Sequence, residues 1–148
     1  MKDYKQHFIF IEDGQDLAIR EVEDVKEIII PKTFDQKAIT VIGSWAFSGN
    51  TKLESVTIPE GVKTIRNSAF AGCYKLKSIV IPESVESIES TAFAGCPDLT
   101  IYCKANTENN NWSTLWNTWN CPVYFYSETK PKNSGNFWHY DNGAIVKW

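Results

Sequence analysis

The sequence predicts a β-rich repeat solenoid, capped by an N-terminal hairpin and by a short C-terminal helix plus hairpin. Three observations predict it. First, Ala46-Phe47-Ser48-Gly49-Asn50, Ala69-Phe70-Ala71-Gly72-Cys73 and Ala92-Phe93-Ala94-Gly95-Cys96 spell one word at a constant step of 23 residues. Second, the columns around the word keep the same step: Ile42/Ile65/Ile88, Leu53/Leu76/Leu99 and Ile39/Val62/Val85. Third, short apolar alternations ending in Ile-Pro precede each word, at Ile58-Pro59 and Ile81-Pro82. A lone unit of this size cannot bury its apolar face, so a fixed period means stacked copies sharing one interior.

Taken in order, the elements fall into one domain of three parts, 1–24, 25–104 and 105–148. Phe8-Ile9-Phe10-Ile11, the turn residues Asp13-Gly14 and Leu17-Ala18-Ile19 read as a hairpin that closes the N-terminal end of the stack. The repeats start near Val25, with a first step of 28 residues. The five extra residues fall within 32–38 and are expected as a surface loop. In Leu53-Glu54-Ser55-Val56-Thr57-Ile58, strand alternation points 53, 56 and 58 inward and the residues between them outward. Proline then ends the strand, having no N–H for the ladder. Gly72 and Gly95 suit turns with positive φ. Beyond Cys103 the word disappears. Trp112, Leu115, Trp116 and Trp119 fall at i, i+3, i+4 and i+7, which predicts one face of a short helix. Cys121 to Tyr126 reads as a strand, 127–136 as a polar surface loop, and Phe137 to Trp148 as a hairpin turning at Asn142-Gly143.

Composition narrows the function classes. Fifteen basic residues stand against eighteen acidic ones, for a net charge of -3, and no basic stripe exists to neutralise phosphates. Nucleic acid is therefore excluded as a partner. No apolar run is long enough for a transmembrane helix. The first residues are polar and lack the apolar stretch of a secretory signal, which leaves a cytoplasmic location as the alternative to export. The histidines, His7 and His139, have no local nucleophile or metal-ligand signature, and phosphate-cradling glycine loops are missing. The expectation is a protein that is not an enzyme, with no cofactor and no metal. Cys73 and Cys96 share the repeat column that Asn50 occupies in the first copy, so they read as packing residues. Cys103 and Cys121 flank the Trp segment and leave a disulfide open as an alternative.

The pattern of a strand ending in Ile-Pro, a Val-x-x-Ile pass and Ala-Phe-x-Gly-Cys resembles the BspA-type (treponemal) leucine-rich repeat. Pro59-Glu60-Gly61-Val62-Lys63-Thr64-Ile65 and Pro82-Glu83-Ser84-Val85-Glu86-Ser87-Ile88 carry it almost unbroken. The segment from Ile101 to Tyr124 is similar to the closing segment of many bacterial members. The resemblance covers about residues 25 to 126. It implies a right-handed leucine-rich-repeat superhelix, a non-enzymatic role in protein binding or cell adhesion, and a place at the bacterial surface or outside the cell.

Two surfaces are candidates for binding. Aligned by repeat, the outward strand positions form one column of Ile29, Thr57, Val80 and Tyr102 and a second of Glu27, Ser55, Ser78 and Thr100. Rungs about 4.8 Å apart would make each column a stripe along a concave sheet, suited to a protein or cell-surface partner. The other candidate is the aromatic tail, with Trp138, Tyr140 and Trp148 placed to stack on a carbohydrate or anchor a protein. A structural spacer within a longer surface protein is a third reading. Edge strands at the ends leave weak self-association open.

Overall fold

The computed structural model describes residues 8–13, 16–22, 25–106, 108, 110–133 and 135–148, giving only the backbone for 12, 13 and 16–22. Thirteen strands follow one another among these residues, without a helix: β1 (Phe8–Asp13), β2 (Asp16–Val22), β3 (Glu27–Ile29), β4 (Thr33–Phe34), β5 (Lys37–Ile42), β6 (Ser55–Thr57), β7 (Thr64–Ile65), β8 (Ser78–Ile81), β9 (Ser87–Ile88), β10 (Thr100–Cys103), β11 (Val123–Tyr126), β12 (Phe137–Asp141) and β13 (Ala144–Lys147). His7 and the Gly14 turn lie outside the described residues.

Each repeat contributes one strand to each of two sheet regions. The apolar passes pair in parallel as β5, β7 and β9, with Val41 beside Thr64 beside Ser87 and Ile42 beside Ile65 beside Ile88. β2 extends this sheet in parallel beside β5, and β1 pairs antiparallel with β2. On the other side β3 pairs with β6, while β8, β10 and β11 pair in parallel. β6 packs beside β8. β12 joins in parallel and β13 closes that sheet antiparallel.

The Ala-Phe-x-Gly words link the two sheet regions and bond directly from copy to copy. The Phe47 and Phe70 N–H groups donate to the Ala69 and Ala92 carbonyls at 2.8 Å, and the Gly49 and Gly72 N–H groups to Ala71 and Ala94 at 2.8 and 2.7 Å. Phe47, Phe70 and Phe93 are all buried. Their rings stack with centroids 4.7 and 5.5 Å apart. Gly95 has φ +72, and a Cβ there would sit 3.3 Å from the Gly72 backbone nitrogen. Both the turn and the close approach of neighbouring copies therefore require glycine.

Two expectations are corrected. The insertion at 32–38 is not an irregular loop: β4 and β5 form a hairpin whose turn residues, Asp35 and Gln36, both have positive φ. That geometry matches the right-handed strand twist. Its Phe34 stacks 4.6 Å from Phe10, so the insertion has its own apolar anchor. The helix expected over 112–119 is also absent. Trp112 and Trp116 are buried, but Leu115 and Trp119 are exposed, so the four do not share a face. Within itself the backbone closes single turns, Trp116 N–H to the Ser113 carbonyl and Asn120 N–H to the Asn117 carbonyl, both at 3.1 Å, and it bonds to the preceding copy: Ser113 N–H donates to Ile88 at 2.7 Å, and the Leu115 carbonyl accepts from Thr91 at 2.8 Å. A helix of two turns is marginal alone, and these bonds to a preformed neighbour outweigh it.

This segment is a degenerate further copy of the repeat loop. Trp116 stands 23 residues after Phe93 and packs edge-on against it at 6.0 Å. The Ser113 hydroxyl meets that of Ser90 at 3.1 Å, again one 23-residue step away. Asn120 has φ 50, in the role that Gly95 fills before Cys96. β11 then lies beside β10 as a further rung, Ile101 facing Val123.

The four cysteines are free and buried. Cys73 and Cys96 donate their thiols to the Phe47 and Phe70 carbonyls, both at 3.2 Å, and Cys121 points to the Cys96 carbonyl at 3.7 Å. In the first copy Asn50 fills this column, its Oδ1 accepting from Leu53 N–H at 3.1 Å. Cys103 and Cys121 form no disulfide.

Candidate binding face

The outward positions of β3 and β6 line up as the sequence predicts. Glu27 faces Ser55 and Ile29 faces Thr57, and all four are exposed, Ile29 at 49%. Between them Ile28 and Val56 are buried, because only the inner face meets the core. Ser78 on β8 is exposed, while Val80 and Thr100 are half-buried.

Tyr102 departs from the expected exposed stripe. It faces outward, opposite Val80 and Tyr124, yet it is only 8% exposed. The cause is an aromatic cluster built on the outward side of the last strands. Tyr102 stacks on Tyr124 at 5.7 Å, and Trp138 meets Tyr102, Tyr126 and Tyr140 edge-on at 5.6, 5.3 and 4.8 Å. Trp138 is 0% exposed, with its indole N–H donated to the Cys103 carbonyl at 2.9 Å. It is therefore a packed centrepiece and not a ring open to a sugar. Tyr140 remains 44% exposed. Trp148 lies on the opposite side of β13 from this cluster, stacked 3.8 Å from His139, with its N–H on the Ser127 carbonyl.

Trp148 aside, the two surfaces treated separately in the sequence are thus one face. It runs from Glu27 and Ile29 through Thr57 and Val80 to Tyr124, Tyr126 and Tyr140. Tyr124, Tyr126 and Lys147 escaped sequence reasoning. The available signal was Tyr124 standing one 22-residue rung after Tyr102, with Tyr126 next on the same side.

The charges on and beside this face are few. The Lys147 ammonium sits 4.4 Å from the centre of the Tyr124 ring. Interaction with the Tyr124 side chain, foremost, outweighs desolvation and pushes Lys147 above its ordinary value. Lys104 pairs with Glu60 at 3.1 Å. Burial would raise the Glu60 carboxyl, but Lys104 and the Ser84 N–H and hydroxyl together hold it below its ordinary value. An open polar recess of about 460 Å³, lined by Glu83, Lys104, Tyr126 and Glu128 among others, borders the aromatic end. His139 is half-buried, and its Nδ1 has no hydrogen-bond partner. Among the described residues no helix is long and apolar enough to cross a membrane.

Parallel rungs in register, a phenylalanine file and inter-copy bonds at a fixed step define a leucine-rich-repeat scaffold. The family model for the BspA type leucine rich repeat region matches residues 17–121, in six copies. The chain belongs to the BspA-type leucine-rich repeat family. Two solved structures are similar in part. The T. pallidum leucine-rich repeat protein TpLRR is 19% identical with a TM-score of 0.42, over 66% of this chain and 69% of that one. A leucine-rich repeat protein from Bacteroides ovatus is 19% identical with a TM-score of 0.42, over 81% of this chain and 45% of that one. The chain thus spans less than half the length of the Bacteroides protein. No curated protein matches the chain significantly.

Proposed function

We propose that the protein is a non-catalytic binding scaffold whose outward face, from Glu27 and Ile29 to Tyr140, engages a protein or cell-surface partner. In this reading the repeats form a right-handed solenoid, the outward face is its concave side, and the hairpins of 1–24 and 105–148 close its ends. The observation that carries the proposal is the continuity of the face. Exposed strand positions of successive copies lead into a tyrosine cluster held still by the buried Trp138. Rigid, amphipathic tyrosines on a preformed sheet give large contact area at little cost in side-chain entropy. Following the pattern of the family, the protein acts at the cell surface or after secretion, and adhesion is the corresponding role.

The test is an array of extracellular proteins probed with the wild type and with the Thr57→Asp/Val80→Asp double variant. Ligands bound by the wild type should be lost by the variant while its circular-dichroism spectrum stays unchanged. Full retention of those ligands by a folded variant contradicts the assignment.

A further inference from the structure

Lys147 belongs to β13, but its ammonium crosses β12 and lies 4.4 Å from the centre of the Tyr124 ring on β11. Tyr124 is the rung neighbour of Tyr102 on β10, and the two rings stack at 5.7 Å. Both side chains act on the ammonium. Interaction with Tyr124, foremost, and with Tyr102 outweighs desolvation and pushes it above its ordinary value. Two phenols and one cation therefore converge on a single spot of the outward face.

Packing fixes this spot. Tyr102 is only 8% exposed, clamped between the Tyr124 ring and the edge of Trp138, which meets it at 5.6 Å. Its hydroxyl is nonetheless not enclosed, and among the described residues neither it nor the Tyr124 hydroxyl has a hydrogen-bond partner. Among the same residues Lys147 has no carboxylate partner. By strand alternation the outward positions from Ile29 to Tyr140 are neutral. The outward carboxylate of Glu27 stands on β3, at the opposite end of the face.

Convergent donors with no acceptor suit an oxyanion. The single positive charge matches a carboxylate, whereas a phosphate monoester carries about -1.5 to -2 at pH 7. The rings here pack against one another, and the Tyr124 face already carries Lys147, so the spot offers hydroxyls more than open ring faces. That favours a protein side chain over a stacked sugar acid.

We propose that Lys147 and the Tyr102 and Tyr124 hydroxyls form a carboxylate-binding spot that receives an aspartate or glutamate side chain of the partner protein. The ammonium supplies the opposite charge, and the hydroxyls donate to the carboxylate oxygens. The proposal rests on the scaffold reading and deepens it by naming the chemical group that the aromatic end of the face selects.

The experiment titrates the isotope-labelled chain with the peptide acetyl-Thr-Val-Glu-Val-Thr-amide and with its glutamine counterpart. Sodium sulfate and methyl phosphate are separate arms at matched ionic strength. The glutamate peptide should shift the Lys147 ε-methylene and the Tyr102 and Tyr124 ring signals, and bind about fivefold more tightly than the glutamine peptide. Lys147→Gln should erase the preference and Lys147→Arg keep it. Tyr102→Phe, which removes only the hydroxyl from a packed ring, should reduce the preference with the circular-dichroism spectrum unchanged. Equal binding of the two peptides, no shift at Lys147, or a stronger response to sulfate or methyl phosphate overturns the proposal. A peptide-free dimer that shifts the same signals and is broken by Glu27→Gln assigns the spot to a second copy and overturns it as well. Array ligands lost by the Thr57→Asp/Val80→Asp variant but fully bound by Lys147→Gln overturn it while leaving the scaffold reading standing.

Discussion

Phe70 is stacked between Phe47 below and Phe93 above, and all three rings are at most 1% exposed. Removing the middle ring opens a cavity that two neighbouring layers cannot both collapse into. Phe70→Ala should therefore lose about 3–5 kcal/mol, measured by urea unfolding. The thiols are a second residue-scale case. Burial, with a smaller push from the Glu108 carboxylate, raises the Cys103 thiol from its ordinary 9.0 to about 12. The folded chain thus keeps a proton that the unfolded chain releases. This contribution is fully present below pH 9 and is lost as pH rises toward about 12. Native Cys103 should remain unlabelled by iodoacetamide at pH 8.5 and become labelled in denaturant. Labelling at the rate of a free thiol in the folded chain would contradict its burial. The inward positions were legible in the sequence because the period superimposes them. The acceptors of the thiols were not, since a cysteine column has the same signature whether it packs, bonds a carbonyl or ligates a metal.

At the scale of elements, the loop of 112–121 shows how a repeat can survive the loss of its word. Ala-Phe-x-Gly-Cys has become Leu115-Trp116 with Asn120-Cys121, two residues longer between ring and turn. The fold keeps the ring, the positive φ and the thiol. Trp116→Phe should be nearly neutral, because the phenylalanine file continues, whereas Trp116→Ala should cost about 3–5 kcal/mol in thermal or urea unfolding. Equal losses for the two variants would argue against a repeat-like role. Helical spacing misled the sequence reading here because apolar residues at i, i+3 and i+4 also occur in a turn that buries two of them. The available bonding partner on the previous copy, invisible in a local window, decided between the two. The Asp35-Gln36 hairpin was misread for a related reason. Neither residue is glycine, so the left-handed turn carries little sequence signal.

For the molecule as a whole, repeat order turns local alternation into one extended face. The rungs from β3 to β10 follow from the period, and the stripe of Glu27, Ile29, Ser55, Thr57 and Ser78 was legible from it. The convergence of this stripe with the tail aromatics was not. β12 joins β11 only twelve residues after it, Phe125 facing Phe137, so no period announces the rung. That short return brings Trp138 over Tyr102 and converts the expected exposed anchor into a buried one.

The central claim is that successive copies share one interior through an unbroken file of rings. Nuclear Overhauser contacts between the ring protons of selectively labelled phenylalanines test it most directly. The account predicts cross-peaks from Phe47 to Phe70 and from Phe70 to Phe93, at centroid distances of 4.7 and 5.5 Å. Rings that contact only residues of their own repeat, with no cross-peak between adjacent phenylalanines, would contradict it.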